Sequence, residues 1–314
     1  MMKVAFIGAG YMTTEHAKAF FDIGSVELCG IYSRTRSKAE SLAATYPGMI
    51  YFDSISSLYE SCRPDLVVIS VPELSVRVVC EEAFQFPWTC LVEKPVGYDY
   101  DDAEAICHTA EKHNTRVYVG LNRRHYSSTK NVLAEMAETD GKRFIHVYDQ
   151  ENPKAALAAG QPEKVVENWM YANSIHMVDY FNFMGRGQII SIENLISYDP
   201  SAPLFVLSKL AYDSGDIGIY ECVWNAPGPW SVVINTQSKR WEMRPVEQAT
   251  FQLNGSRKQE PLSIHEWDCQ FKPGLRLQAQ ECVHALLGLE HNLPTIKDAF
   301  ISMKLIKAIY FGSN

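Results

Sequence analysis

The sequence lacks the features that define metal-binding, secreted and membrane proteins. Its eight cysteines lie far apart, without a C-x-x-C pair or a close Cys/His cluster, so we expect no metal site and reduced, mostly buried thiols. No apolar run approaches membrane-spanning length, and the run at residues 4–7 is too short for a secretory segment. We therefore expect a cytoplasmic protein with no membrane partner.

A basic stripe is also missing. The 29 Lys and Arg residues are scattered, and 37 acidic residues give a net charge of -8, which argues against a nucleic-acid partner. Nor is there compositional bias, because 46% hydrophobic and 21% charged residues are ordinary for a globular protein. A chain of 314 residues suits two folded domains.

The first part of the chain alternates short β-branched runs with amphipathic stretches, the pattern of parallel strands joined by crossover helices. Strands are predicted at residues 4–7, 26–32, 66–71, 89–92 and 116–119, and helices at 36–46, 75–84 and 101–113. We expect residues 1–122 to form an NAD(P)-binding Rossmann domain with a doubly wound parallel sheet. Such sheets bind ligands at the carboxyl ends of their strands.

The second part has strand-like runs that follow one another without helices, which favours an open antiparallel sheet. The runs are residues 143–150, 189–197, 204–212, 218–223 and 231–236, and helices are predicted at 127–138, 173–184, 278–287 and 296–310. The fold class is therefore α/β, with residues 123–314 as a C-terminal α+β domain on an open, mostly antiparallel sheet. This domain would bind substrate, and the apolar face of its sheet predicts a homodimer or homotetramer.

A glycine-rich turn follows the first predicted strand. In Gly8-Ala9-Gly10-Tyr11-Met12-Thr13, Gly8 permits the tight turn and Gly10 lets backbone N–H groups approach a pyrophosphate at the start of a helix. The turn predicts a dinucleotide site that includes Tyr11 and Met12. Thr13 replaces the third glycine of the pattern, so the helix and strand are expected to pack slightly farther apart.

The end of the second strand predicts which nucleotide binds. An acidic residue there accepts hydrogen bonds from the ribose hydroxyls of NAD. An arginine beside a small polar residue instead accommodates the 2′-phosphate of NADP. This chain has Ser33-Arg34, so NADP is expected in preference to NAD. The alternative is a solvated basic turn before a helix.

The tripeptide Glu93-Lys94-Pro95 follows the fourth predicted strand. Together with the glycine-rich turn and the segments at residues 120–124, 174–179 and 271–274, it resembles the glucose-fructose oxidoreductase / inositol dehydrogenase / MocA (Gfo/Idh/MocA) family. Members of that family oxidise or reduce sugars, inositols and related polyols. The resemblance extends along most of the chain.

The resemblance implies that Lys94 lies beside the nicotinamide and relays the substrate hydroxyl proton. A lysine that is partly desolvated near a cationic ring is expected to have a lowered pKa and to serve as acid or base; the alternative is an exposed lysine after a strand. Glu93 would orient Lys94 or pair with a cation beside the cofactor, and Pro95 would fix the turn through a cis bond. Val71, Pro72 and Asn122 complete the expected cofactor contacts.

The second catalytic residue that the resemblance implies is His176. The family has an acid or histidine four residues earlier, where this chain has Ala172, and that departure is the main objection to full activity. His176 could instead be a packing histidine, and His16 is interpreted mainly as packing. Substrate contacts are expected from a set of polar and aromatic residues: Arg123, Tyr126, Tyr171, Asn173 and Asp179.

The leading functional hypothesis is an NAD(P)-dependent oxidoreductase acting on a sugar, sugar nucleotide or cyclitol. Two alternatives stay open. One is a nucleotide- or sugar-sensing protein of the same fold with impaired catalysis, motivated by Ala172. The other is an enzyme that recycles a tightly held cofactor within each turnover.

Overall fold

A computed structural model of the chain describes residues 1–312. The chain forms two compact units. The first contains Met1–Asn122 and Glu266–Phe300, and the second contains Arg123–His265 and the residues from Ile301 onward. The sequence predicted a second domain over residues 123–314 without interruption, and the structure differs because residues 266–300 return to the first unit.

The first unit is built on a six-stranded parallel sheet with the order β3-β2-β1-β4-β5-β6. The strands are β1 (Met2–Ile7), β2 (Val26–Tyr32), β3 (Ile50–Phe52), β4 (Leu66–Ile69), β5 (Thr89–Val92) and β6 (Val117–Val119). Their connections contain α1 (Tyr11–Phe21), α2 (Arg36–Ala43), α3 (Ile55–Cys62), α4 (Glu73–Ala83) and α5 (Tyr100–His113). Every residue of β4 and β5 is buried, as expected for strands covered on both faces. The predicted Rossmann fold is confirmed.

The second unit is built on an eight-stranded sheet with the order β14-β13-β12-β11-β7-β10-β9-β8. Its neighbouring strands are antiparallel except for the parallel pair β7 and β10. The strands are β7 (Phe144–Glu151), β8 (Ile189–Ile196), β9 (Phe205–Tyr212), β10 (Ile217–Trp224), β11 (Ser231–Asn235), β12 (Lys239–Met243), β13 (Thr250–Leu253) and β14 (Glu260–Pro261). The predicted mostly antiparallel sheet is confirmed.

Five α-helices lie wholly within the second unit. They are the 11-residue α6 (Ser127–Ala137) and the shorter α7 (Pro153–Ala158), α8 (Glu163–Val166), α9 (Ile175–Val178) and α10 (Tyr180–Met184). A 3₁₀ helix covers Asn122–His125, and a π-helix covers Met170–Ser174. The single helix predicted at residues 173–184 is therefore a π-helical turn followed by two short α-helices.

One face of the second sheet is buried inside its unit, whereas the other retains exposed apolar side chains. Along β9, Val206, Leu210 and Tyr212 are buried, whereas Phe205 is 55% exposed. The strand register places Phe144 and Ile217 on the same face as Phe205, and both are exposed. This alternation is typical of an antiparallel sheet with one open face.

The chain returns to the first unit through α11 (Trp267–Gln270) and α12 (Leu275–Leu286). Leu275 and Cys282 of α12 belong to the same buried apolar cluster as Phe20 of α1. Val119 at the end of β6 donates its backbone N–H to Pro294. These contacts explain why residues 266–300 belong to the first unit. The division between the units falls within the last helix, α13 (Ile296–Phe311).

Within residues 1–312, none of the helices has the length and apolar composition of a membrane-spanning segment. The same residues contain no group of three His, Cys, Asp or Glu side chains that could hold a metal ion. All eight cysteines are free thiols, and only Cys269 is exposed.

The turn between β1 and α1 packs tightly against the neighbouring strand. Gly8 has φ +107°, and a Cβ atom added to it would overlap the backbone oxygen of Ser70, just after β4. Gly10 differs: its φ is -88°, and an added Cβ would meet no atom of residues 1–312 within 4 Å. The fold therefore requires glycine at position 8 but not at position 10.

We expect Gly8→Ala to lower the free energy of unfolding by at least about 2 kcal/mol, because it adds both backbone strain and an overlap with Ser70. Gly10→Ala, the matched control, should change it by less than about 1 kcal/mol, the scale of exchanging these residues at a helix N-cap. Denaturant unfolding of the unliganded protein measures both. Equal stability of the two variants would show that the turn does not pack as described.

Candidate active site

The predicted cofactor residues of the first unit lie at one edge of its sheet. Gly8 follows β1, Ser33 follows β2, Val71 lies just beyond β4, and Lys94 lies just beyond β5. The carboxyl ends of parallel strands share one edge, and the connections from β1 and β4 leave in opposite directions from adjacent strands. Ligands of doubly wound sheets bind in the crevice at such a switch point.

The N-terminus of α1 fits a pyrophosphate group. The helix begins after Gly10, and no side chain caps it. Its first N–H groups, which have no intrahelical acceptors in any helix, therefore lack a capping side chain as well and form a positive end. The open space where a Cβ of Gly10 would stand lets an anion approach this backbone closely. Tyr11 is 67% exposed, and the Nζ atom of Lys272 lies 5.6 Å from its ring centroid.

The end of β2 carries the residues that predict the nucleotide. The Ser33 hydroxyl accepts a hydrogen bond from the Thr35 backbone at 3.2 Å. The Arg34 guanidinium donates to the Ser75 hydroxyl of α4 at 2.9 Å and is exposed to solvent. The hydrogen bond to Ser75 thus holds the Arg34 guanidinium beside the carboxyl edge of the sheet. A stronger hydrogen-bond acceptor could replace the Ser75 hydroxyl.

Lys94 is half-buried, and its peptide bond to Pro95 is cis. The preceding Glu93 side chain is buried and directed into the unit. Its Oε1 lies 2.5 Å from Nε2 of His16 on α1, and its Oε2 accepts from the backbone N–H of Lys94 at 3.2 Å. His16, which the sequence analysis interpreted as packing, is therefore a hydrogen-bond partner of the residue next to Lys94.

Other predicted cofactor residues have structural contacts. The buried Asn122 amide donates to the backbone oxygen of Pro273 at 3.0 Å, which joins the end of β6 to the segment before α12. Pro72 precedes α4, and its carbonyl accepts from the backbone of Ser75. Met12 is partly buried and packs against the core of the unit.

The predicted substrate residues and His176 all lie in the second unit. His176 is buried on α9, directly after the π-helix. The side chain of Arg123 contacts the Met177 sulfur and lies over the Trp230 ring, with 5.3 Å from the guanidinium carbon to the ring centroid.

Asp179 is committed to internal contacts. Arg124 donates to both of its oxygens at 2.7 Å, and the Ser302 hydroxyl donates to one of them at 2.7 Å. Asp179 as a whole is 2% exposed. Its geometry suits positioning of Arg124 better than direct binding of a substrate hydroxyl.

The remaining predicted substrate residues are also largely enclosed within the second unit. Tyr126 and Tyr171 are 6% and 3% exposed. The Asn173 amide donates to Oε2 of Glu151 at 2.9 Å. Of the five predicted substrate residues, Arg123 and Asn173 are the two that are not buried.

A buried acidic network, which was not predicted from the sequence, lies next to the π-helix. Asp149 and Glu151 of β7 are both fully buried. Tyr220 donates to Asp149 at 2.8 Å, and Ser174 donates to Glu151 at 2.5 Å. Burial raises the pKa of Asp149 above its ordinary value. Both acids continue the inward-facing alternation of Ile145 and Val147, which is the signal that could have revealed them.

Comparisons with known proteins agree with the Rossmann fold of the first unit. Residues 2–121 match the model of an oxidoreductase family with an NAD-binding Rossmann fold, GFO_IDH_MocA. The chain is 23% identical over 305 residues to 4-carboxy-2-hydroxymuconate-6-semialdehyde dehydrogenase of Sphingobium, covering 93% of this chain and 92% of that protein. It is 29% identical over 136 residues to glucose-6-phosphate 3-dehydrogenase of Bacillus subtilis, covering 43% of this chain and 38% of that protein.

The fold of the whole chain also occurs among solved structures. UDP-N-acetylglucosamine 3-dehydrogenase from Acidithiobacillus ferrooxidans superimposes with a TM-score of 0.79 at 15% identity, covering 99% of this chain and 97% of that one. The Rossmann unit, which carries the glycine-rich turn and the Glu93-Lys94-Pro95 segment, therefore matches the Gfo/Idh/MocA family of oxidoreductases over residues 2–121.

Proposed function

We propose that the protein transfers a hydride between a nicotinamide nucleotide and a carbinol or carbonyl carbon of a sugar, sugar nucleotide or cyclitol. One observation carries the proposal: the half-buried Lys94 lies on the same sheet edge as the uncapped N-terminus of α1. The base follows β5 and the anion site follows β1, with only β4 between them on the same carboxyl edge. This arrangement suits a reaction that moves a proton beside a bound dinucleotide. The names of the relatives supply the substrate class.

The residues of the chain handle the proton and the orientation. The nicotinamide, when bound, supplies the hydride chemistry. In oxidation, the neutral Lys94 amine accepts the hydroxyl proton while the carbinol carbon loses its hydride; in reduction, the ammonium returns the proton. We assign His176 to the substrate hydroxyl and Arg123, Tyr126, Tyr171 and Asn173 to substrate positioning. Asp179 is assigned to holding Arg124.

Lys94→Met should lower kcat by about 10²- to 10⁴-fold, because it removes the proton acceptor but keeps a chain of similar size. The assay follows nicotinamide absorbance with NADP or NAD and a panel of sugars, nucleotide sugars and inositols. Lys297→Met, at an exposed lysine of the same unit, is the matched control and should turn over normally. Normal turnover of a Lys94→Met variant that still binds nucleotide would refute the assigned role.

The same assay separates the two other functions. One is a sensing protein, motivated by Ala172 standing where the family has an acid or histidine, and the other is an enzyme that recycles a tightly held cofactor. Tight nucleotide binding without turnover on any member of the panel would favour a sensing protein. Nucleotide that survives purification and shows no net change during substrate conversion would favour internal recycling. Net reduction or oxidation that depends on Lys94 would exclude both.

We infer that NADP is the preferred nucleotide, from Arg34 and the absence of an acid at the end of β2 in residues 32–36. Arg34→Ser should weaken NADP binding by about tenfold to 100-fold, the worth of hydrogen bonds to a charged group, and leave NAD binding unchanged. Arg36→Ser, which removes a surface ion pair with Glu40, is the control. Fluorescence titration measures both nucleotides, and tighter binding of NAD than of NADP by the wild type would overturn the preference.

We also infer self-association, as a homodimer or homotetramer, through the open face of the second sheet. Phe144 and Ile217 are exposed there as a cross-strand pair, and Phe205 is exposed on the same face at the other end of β9. Exposed apolar side chains on one face are typical of interfaces. Light scattering of the wild type should give at least two chains, and Phe205→Lys should lower that mass. Phe311→Lys, at an exposed aromatic on α13, is the control. A wild-type mass of one chain would contradict the inference.

A further inference from the structure

The residue that precedes Lys94 in the chain belongs to a buried acid–histidine pair. His16 is on α1 and Glu93 follows β5, 77 residues apart, with the ring nitrogen and carboxylate oxygen separated by 2.5 Å. The two side chains are only 1% and 9% exposed. In the tautomer with its proton on Nε2, His16 donates to this carboxylate, since an ionised carboxylate only accepts hydrogen bonds. A buried carboxylate is costly without such a partner.

The Glu93 carboxylate is held from three directions. His16 contacts Oε1 from α1, and the backbone N–H of Lys94 contacts Oε2. The third neighbour is Gly120, just beyond β6, where an added Cβ would stand 2.9 Å from Oε1. Glycine at position 120 therefore lets the carboxylate pack directly against the backbone of the next strand.

We propose that His16 and Glu93 are a positioning pair that fixes the backbone from which the Lys94 side chain extends. His16 lies on the helix whose N-terminus fits the pyrophosphate, so the pair links the nucleotide-binding end of α1 to the end of β5. The inference rests on the proton-relay role proposed for Lys94. Its physical basis is that an error of about 1 Å in the placement of a reacting group can cost 10²-fold in rate.

Two substitutions of His16 separate hydrogen bonding from packing. Gln places an amide N–H near the position of the ring Nε2–H but fills the core less well. Leu fills the apolar space but donates nothing. A histidine that only packs would be replaced better by Leu than by Gln, whereas a positioning histidine would be replaced better by Gln.

The first measurement is the reactivity of the Lys94 amine in the purified protein. Acetic anhydride labelling, resolved by peptide mass spectrometry, compares Lys94 with the exposed Lys258 as an internal reference. We expect His16→Leu and Glu93→Gln to raise the Lys94 rate about tenfold, the effect of losing one hydrogen bond to a charged group. His16→Gln should stay within about threefold of the wild type, because the donor is retained.

The second measurement is turnover of the substrate identified with the panel of sugars, nucleotide sugars and inositols. Nucleotide affinity is measured in parallel. His16→Leu and Glu93→Gln should lower kcat by about 100-fold at unchanged nucleotide affinity, and His16→Gln should lower it far less. Phe20→Leu is the matched control for destabilisation, because Phe20 is fully buried on the same helix and its side chain has no hydrogen-bonding group. It should lower thermal stability and leave both readouts unchanged.

The outcomes of this inference and of the proposed function are distinguishable. Wild-type labelling and turnover in His16→Leu would overturn the positioning pair, even if Lys94→Met is inactive. Loss of nucleotide affinity equal to the loss of kcat would overturn it as well, since the pair would then act on binding alone. Normal turnover of Lys94→Met would refute the relay, whereas the labelling rates would still report whether the pair positions that lysine.

Discussion

The arrangement of the first unit depends on the close approach of the β1–α1 turn to the end of β4. Gly8 lies against the carbonyl of Ser70, its N–H donates to Tyr32, and the N–H of Ser70 donates to Ile7. These contacts fix where α1 begins and in which direction it runs. One end of the helix therefore opens at the carboxyl edge of the sheet, and its buried side reaches the residue behind Lys94.

The sequence predicted the elements that bury continuous or alternating apolar residues. It missed β3 (Ile50–Phe52), because three residues at a sheet edge give too short a pattern, and β12 (Lys239–Met243), where three charged residues obscure the alternation. The π-helical turn at Met170–Ser174 escaped because one inserted residue hardly changes a helical pattern. The discontinuous first unit escaped because covalent order does not reveal which core α12 joins.

The site residues fall into two groups: those defined by a short stretch of sequence, and those defined by contacts between residues far apart in the chain. The glycine-rich turn and the Glu93-Lys94-Pro95 segment were predictable, because each is a short motif recognised directly after a predicted strand. The pairing of Arg124 with Asp179, and of His16 with Glu93, joins residues 55 and 77 positions apart. No periodicity encodes such contacts. Asp179, a charged residue that looked available for substrate, is already paired with Arg124, as a buried charge must be.

The first unit is assembled from both ends of the chain, and this has a consequence for its synthesis. Phe20 of α1 is buried in a cluster to which α12 contributes Leu275 and Cys282. A nascent chain that has emerged only as far as residue 122 holds all six strands of the Rossmann sheet, yet part of the apolar surface of α1 is still uncovered. The nucleotide-binding half of the enzyme is therefore completed only after the ribosome has translated the entire second sheet, and until then that surface is open to chaperones.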